Sequence, residues 1–428
     1  MIAILYLLFI LSGAAGLFYE SVWSRYLSLF VGHGAYAQVI VLVIFLGGMA
    51  LGAAAVSRNS ERLRDPLYGY AMVELAVGLL GLAFHDYLYL PVTSWAYDSL
   101  FPALGGGVGA ELLKWGLAGL LILPQSVLLG ATFPLMSAGI LRRRPGRSGD
   151  VLSLLYFTNS LGAAAGVLVA GFFLVGYVGL PGVLASAAII NLVVGLGALV
   201  AAKLGPSPAA AELPGRSTGL TAGAEEIQAI AVPSLTRLLL LVSAGTAIAS
   251  FIYEVAWIRL LSLVLGSATH SFELMLSAFI LGLALGSLWI RRRLERLTHP
   301  VRFLALVQVV MGALAIGSLV AYTLSFGATV GLMNAIARTD QGYAVFAFAR
   351  YALCLLIMLP ATFCAGMTLP LLTRTLLAAG TGERAIGQVY GANTLGSIVG
   401  AGAASLVIIP VLGLKGTLIT GGVADMLV

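Results

Sequence analysis

The chain has 428 residues, of which 60% are hydrophobic and only 9% are charged, and its mean hydropathy is +1.04. Soluble domains carry roughly 25% charged residues, so this composition excludes a soluble globular protein and predicts an integral membrane protein. The formal net charge of +6 does not indicate nucleic-acid binding, because the arginines lie in short segments between long apolar runs. Those runs lack the alternating pattern of a membrane β-barrel, which leaves membrane-spanning helices.

The apolar runs predict eleven complete helical spans and part of a twelfth. We place the complete spans at residues 2–20, 36–56, 67–84, 113–140, 152–175, 180–204, 238–253, 271–290, 301–325, 345–372 and 387–412. The residues that follow, 416–428, reach about 20 Å in a helix, which is too short for a hydrocarbon core of about 30 Å. We therefore expect the twelfth span to be cut and the sequence to continue in the intact protein.

The segment at the end of the first span is repeated at the end of the seventh. Tyr19 and Glu20 recur as Tyr253 and Glu254, an offset of 234 residues. Six further identities follow at this offset: Trp23/Trp257, Arg25/Arg259, Leu27/Leu261, Ser28/Ser262, Leu29/Leu263 and Gly32/Gly266. Later spans repeat Gly48/Gly282, Gly52/Gly286, Pro124/Pro360, Gly130/Gly366, Pro134/Pro370, Tyr156/Tyr390, Asn159/Asn393, Gly162/Gly396 and Gly166/Gly400. The chain is therefore an internal duplication.

Six spans per repeat is an even number, so both repeats enter the membrane in the same sense. Two parallel six-span halves are the arrangement of major facilitator transporters. We predict an all-α membrane protein with about 12 transmembrane helices in two such repeats, residues 1–204 and 237–428, the second cut within its last helix. Residues 205–236 are rich in Pro, Gly, Ser and Ala and predict a flexible cytoplasmic linker.

The distribution of basic residues predicts the orientation. Of the 23 Lys and Arg residues, 17 lie in segments that follow even-numbered spans. Cytoplasmic loops carry the excess of basic residues, so we expect these segments and the N-terminus to be cytoplasmic.

The residues that usually hold metals or cofactors are scattered. Cys354 and Cys364 fall within one apolar run without ligand spacing, and the four histidines are isolated from one another. We expect no metal, no cofactor, no catalytic residue and no nucleic-acid partner for these 428 residues.

The duplicated acids and arginines are the first candidates for a site. Glu20 and Arg25 are five residues apart, as are Glu254 and Arg259. Residues five apart on a helix point about 140° away from each other, so neither pair suits an intrahelical bond. We expect Glu20 to pair with Arg259 and Glu254 with Arg25 across the pseudo-two-fold axis, as a gate or a structural clasp. The alternative is that all four are interfacial residues anchored by neighbouring tryptophans.

Further polar residues lie within or near apolar spans. Glu74 in the third span and Glu273 in the eighth are ionisable, and such residues are costly in a membrane and mark functional sites. A cavity lined by carboxylates suits a cationic solute or a proton.

Tyr156 and Asn159 in the fifth span match Tyr390 and Asn393 in the eleventh. Each pair shares one helix face. They are candidates for the same solute site, and small-residue helix packing is the alternative.

The sequences at residues 16–29, 48–52, 129–134 and 156–162 together resemble the membrane half of bacterial fused major facilitator/spermidine synthases. The resemblance covers essentially the whole chain and implies a multi-pass protein of the bacterial inner membrane. In that family a cytoplasmic spermidine-synthase-like domain follows, with an aminopropyltransferase fold that binds decarboxylated S-adenosylmethionine and a diamine. Any such enzymatic activity would belong to residues beyond this sequence.

The resemblance leaves two functions open. One is a transporter-like module for a small cation such as a polyamine. The other is a non-transporting membrane anchor or assembly subunit for a cytoplasmic synthase-like domain or other subunits. The lipid bilayer is the partner that both functions share.

Overall fold

The computed structural model describes residues 2–31, 34–59, 62–105, 107–144, 148–204, 222–266, 270–294, 296–336 and 339–428. These residues are almost entirely helical. The amino half contains α1 (Ile2–Val31), α2 (Gly34–Asn59), α3 (Pro66–Ala83), α4 (Leu90–Trp95), α5 (Phe101–Leu104), α6 (Val108–Leu141), α7 (Ser148–Val169) and α8 (Val175–Leu204). The carboxyl half contains α9 (Ala222–Leu265), α10 (Ser271–Leu294), α11 (Pro300–Ala335), α12 (Asp340–Ala378), α13 (Arg384–Ala403) and α14 (Ile409–Leu427).

Within the described ranges, ten continuous helical stretches are long and apolar enough to cross a membrane. Two of them, residues 148–204 and 384–427, contain a reversal of the chain at a glycine. Gly179 interrupts α8 with a φ of 65°, and Gly413 interrupts α14 with a φ of 67°. The chain reverses at Gly179, since Gly162 before it and Gly197 after it both pack against the same part of α1. The described chain therefore makes twelve passes, and the face that carries the start of α1 is called the N-terminal face below.

Close glycine contacts repeat in both halves. A Cβ atom added at Gly52 would lie 1.9 Å from the carbonyl oxygen of Val127, so α2 and α6 are in backbone contact. A Cβ atom at Gly286 would lie equally close, 1.9 Å, to the carbonyl oxygen of Phe363, which joins α10 to α12 in the same way. The duplicated glycines thus hold equivalent helix pairs together.

The two halves meet along α7 with α10 and along α2 with α13. At the first contact the Ser277 hydroxyl donates to the carbonyl of Ala164 over 2.9 Å, and Ser287 donates to the carbonyl of Ser153 over 2.7 Å. A continuous interface of this kind positions anything that lies between the halves.

The third span is longer than predicted. Residues 85–104, which we expected to lie between spans, continue α3 through π-helical turns at Phe84–Tyr89 and Ala96–Leu100. The Tyr89 hydroxyl donates to the Tyr26 carbonyl over 3.2 Å and the Tyr97 hydroxyl to the Phe30 carbonyl over 2.5 Å. These aromatic contacts with the end of α1 stabilise a helix that hydropathy alone does not indicate.

The predicted linker is partly helical. Residues 205–221 lie outside the described ranges, and α9 begins at Ala222 rather than at residue 237. At the other end, the part of the twelfth span in this sequence is helical from the turn at Gly413 to Leu427.

Candidate functional site

A cavity of about 410 Å³, including the space open to solvent, lies between α7 of the amino half and the helices of the carboxyl half. Its polar lining is neutral, and three aromatic side chains contribute to its walls. The residues that matter here are Tyr156 of α7; Thr246, Ser250 and Phe251 of α9; Phe279 of α10; Thr368 of α12; and Asn393 and Ser397 of α13. Aromatic and apolar walls with a few polar groups are typical of small-molecule sites.

Two carboxyl groups from opposite halves lie close to this cavity. Glu254 is one helical turn beyond Ser250 on the same face of α9, and its side chain is buried. Its Oε2 atom has no hydrogen-bond partner within the described part of the chain. The carboxyl group of Glu20 on α1 is near enough to repel it electrostatically. The duplicated acids are thus within electrostatic range of each other, and neither forms an ion pair in the described ranges.

An ion pair joins the two halves on the side opposite the N-terminal face. Arg25 on α1 donates to Glu273 at the start of α10. Glu273 is buried against the backbone of Gly171, where an added Cβ would lie 2.5 Å from its Cγ. This contact replaces the expected pairing of Arg25 with Glu254. Arg259, which we expected to pair with Glu20, makes no ion pair in the described ranges.

An aromatic layer borders the cavity on its side toward the N-terminal face. Phe133 of α6 stacks on Tyr390 with ring centroids 5.4 Å apart, and its ring meets Tyr156 edge-on at 6.0 Å. A second space of about 270 Å³ lies among these three side chains and α12. Tyr156 borders both spaces, so Tyr156 and Tyr390 are brought together at a constriction between them.

Two ion pairs join the halves at the N-terminal face. Arg142 donates to both carboxylate oxygens of Glu383, at 2.8 and 2.7 Å, and both side chains are buried. Arg291 donates to Asp150 at 2.5 and 3.3 Å. Sequence reasoning missed both pairs, because their partners lie on helices of different repeats.

The second of these ion pairs has a counterpart at the 234-residue offset. Asp150 and Arg291 correspond to Arg384 and Ser57, and the Ser57 hydroxyl donates to the Arg384 carbonyl over 2.9 Å. Comparison of the two repeats could therefore have indicated that these helix ends lie close to each other.

Other candidates lie away from the cavity. Glu74 is fully buried inside the amino half, bonded to Ser12 and Asn191. Asn159 contacts α1, where its Oδ1 would lie 3.0 Å from a Cβ at Gly13, whereas its repeat Asn393 lines the cavity. Of the two repeated asparagines, only the second is placed to touch a solute.

No protein-family model matches the chain, and no curated protein sequence matches it. Solved structures match it over almost its whole length. The human organic anion transporter MFSD10 (TETRAN) covers 99% of this chain, and this chain covers 97% of it, with a TM-score of 0.61 and 14% identity. The Escherichia coli fucose:proton symporter FucP matches with 97% of each chain covered, a TM-score of 0.54 and 14% identity.

The chain has a major-facilitator-like fold. This confirms the predicted all-α, multi-pass membrane architecture of about twelve helices. In this fold the cavity, the acids and the two sets of ion pairs all lie where the halves meet.

Proposed function

We propose that the chain is a transporter of a small cationic solute, such as a polyamine, that works by alternating access of its two halves. The observation that carries the proposal is the approach of two acids from opposite halves, Glu20 and Glu254, with Glu254 one turn beyond Ser250 in the lining of a cavity between the halves. In a major-facilitator-like fold, such a cavity is where a solute is held during the exchange.

The charges favour a cation with more than one positive group. Two carboxylates that face each other repel, and the repulsion grows as water is excluded. A diammonium solute offsets both charges at once. Tyr156, Phe251 and Phe279 supply ring faces in the same cavity, and such faces attract ammonium groups by about 0.5–2 kcal/mol.

The ion pairs supply the two gates of the proposed cycle. The contact between Arg25 and Glu273 would break to open the face opposite the N-terminus. The contacts Arg142–Glu383 and Asp150–Arg291 would break to open the N-terminal face. If the N-terminus is cytoplasmic, as the distribution of basic residues predicts, the N-terminal face is the inner gate.

The test is uptake of labelled putrescine and spermidine into proteoliposomes that contain the full chain. We expect saturable uptake that falls at least about tenfold in Glu20→Gln and Glu254→Gln, the equivalent of about 1.4 kcal/mol. Glu111→Gln is the matched control, since Glu111 is a solvent-exposed acid paired with Lys114 at the surface. Uptake equal to that of empty liposomes, with folded protein, would refute transport and favour a membrane anchor for a synthase-like domain.

A further inference from the structure

Two equivalent buried positions in each half carry one carboxyl group and one carboxamide. The position that holds the acid in one half holds the amide in the other. In the amino half the acid is Glu74 on α3 and the amide is Asn191 on α8. At the 234-residue offset, the carboxyl half has the amide Gln308 on α11 and the acid Asp425 on α14. The first helix of each half adds a hydroxyl, from Ser12 and Thr246. We call these the amino triad (Ser12, Glu74, Asn191) and the carboxyl triad (Thr246, Gln308, Asp425).

In the amino triad both oxygens of the acid have partners. The Ser12 hydroxyl donates to Oε1 of Glu74 over 2.6 Å, and the Asn191 amide donates to Oε2 over 2.5 Å. Only Oδ1 of Asn191 lacks a partner among the atoms of this triad in the described ranges, and none of the three residues lines the 410 Å³ cavity.

The carboxyl triad is open, although the helices around it pack in the same way. Thr246 donates to Oδ1 of Asp425 over 3.2 Å, but Oδ2 and both amide atoms of Gln308 have no partner in the described ranges. Asp425 is fully buried and Gln308 is 2% exposed. Gly312 and Gly422, next along the two antiparallel helices, are in contact, which places Gln308 and Asp425 at the same depth. Buried polar atoms are usually hydrogen-bonded, so these groups are placed to exchange partners with the acid.

Asp425 is also connected to the cavity. Thr246 and Ser250 both line it, and the Ser250 hydroxyl is 2.9 Å from the Tyr253 hydroxyl, which lies beside Asp425. A chain of hydroxyl groups thus runs from the cavity to the acid. The amino triad has no such route within the described residues.

The groups that face Asp425 carry no compensating positive charge. The titratable ones are Tyr253 of α9 and the Cys364 thiol of α12, and α11 contributes the neutral Gln308. None of the ion pairs in the described ranges includes Asp425. An ionised carboxylate at this depth in a membrane is costly, so the neutral acid is its resting form.

We propose that Asp425 is a proton-binding site that exchanges its proton with water in the cavity through the hydroxyls of Thr246, Ser250 and Tyr253. Gln308 suits both states of the acid, because a carboxamide offers an acceptor and a donor. The protonated acid donates to the amide oxygen of Gln308, and the ionised acid accepts from its amide nitrogen. The inference goes beyond the proposed function, since proton binding here does not depend on which solute moves.

The test is infrared difference spectroscopy of the full chain in liposomes, following the C=O stretch of protonated carboxyl groups while the pH of the buffer is raised. We expect a band that is lost reversibly at alkaline pH, that is absent in Asp425→Asn and that persists in Glu74→Gln. Asp425→Asn places an amide where the amino half has Asn191, so the fold should tolerate it. Thr246→Val removes one hydroxyl partner and should shift the band and its titration midpoint without removing the band.

Three outcomes would overturn the inference. One is a band that does not titrate, and another is a titrating band that survives in Asp425→Asn. The third is loss of the band on adding Na⁺ at constant pH, which would make the carboxyl triad a metal-cation site. Uptake of putrescine is a separate measurement, so the infrared results can be interpreted even if no transport is found.

Discussion

Asn191 and Asp425 occupy the same place in the two halves of the protein, yet one is an amide and the other an acid. The acid that Asn191 bonds, Glu74, is in turn replaced by an amide, Gln308. At these two positions each half therefore has one carboxyl group, but on different helices. We expect the two positions to be coupled, because two acids side by side would repel and two amides would leave no titratable group.

We expect that the acid and the amide of the amino triad can be exchanged by substitution, which reproduces the arrangement of the carboxyl triad. Glu74→Gln alone and Asn191→Asp alone should each lower stability, the second by placing two acids side by side. The double variant recreates the carboxyl triad, so its loss should be smaller than the sum of the single losses by about 0.5–3 kcal/mol. Thermal unfolding of the four proteins in one detergent measures this coupling, and additive losses would show that the two residues act independently.

The glycine contacts between helices predict a contrast along one helix. Gly400→Ala adds a methyl group 2.4 Å from the carbonyl oxygen of Ile248 and should cost about 1–3 kcal/mol, because backbone cannot move aside easily. Gly402→Ala, two residues further on α13, meets nothing within 4 Å. It should be neutral or stabilising by up to about 1 kcal/mol, since alanine favours helix. Equal melting temperatures for the two variants would argue against the close contact.

The ionised carboxylate of Asp65 makes the stability of the amino half depend on pH. Its carboxylate caps α3 by accepting from the Leu67 amide over 3.0 Å, and it accepts two bonds from the buried guanidinium of Arg143, at 2.9 and 2.7 Å. Partial burial acts to raise the pKa of Asp65, but the bonds and charge of Arg143 outweigh it and hold this pKa below its ordinary value of 3.8. The stabilisation is present above pH 3.8 and is lost as the pH falls through the lowered value.

Asp65→Asn should therefore destabilise the protein at neutral pH by about 1.5–3 kcal/mol, because asparagine still caps α3 but leaves the buried guanidinium of Arg143 without its carboxylate. The difference from wild type should shrink as the pH drops below 3.8. Thermal unfolding across this range measures it, with Asp98→Asn as the control because Asp98 is exposed. A difference that stays constant with pH would contradict the role of the ionised carboxylate.

The fold could be predicted from the sequence because the apolar spans and the glycines at helix contacts are local features that occur twice. Gly52 and Gly286 recur at the offset of 234 and mark the same helix contact twice, and the even number of spans predicts parallel halves. The partners of ionised groups were not readable in this way. Arg25 was expected to pair with Glu254 of the other half, yet it bonds Glu273 on a different helix of that half. Which helices meet depends on packing of the whole bundle, which no spacing along one helix reveals.

The triads were missed for a different reason. A search for identical residues at the repeat offset counts Glu74 against Gln308 as a mismatch and passes over it. Treating an acid and its amide as equivalent would have found both triads. The duplicated Glu20 and Glu254 were found, because they are identical, and the structure brings them together.

The central claim is that the two halves open alternately around the cavity, and pulsed electron paramagnetic resonance distances test it most directly. Exposed label sites are Asn59→Cys with Arg292→Cys on the N-terminal face, and Val108→Cys with Tyr343→Cys on the opposite face. The native cysteines are buried, so labelling is confined to the introduced sites.

Glu273→Gln removes one partner of Arg25, and Glu383→Gln removes one partner of Arg142. Breaking a buried pair costs about 3–5 kcal/mol, enough to shift a closed state about a hundredfold or more.

We expect Glu273→Gln to lengthen the distance between the labels at positions 108 and 343 without lengthening the distance between those at 59 and 292. Glu383→Gln should do the reverse. If both distances stay unchanged in both variants, or if both faces open together, the account of alternating access is wrong.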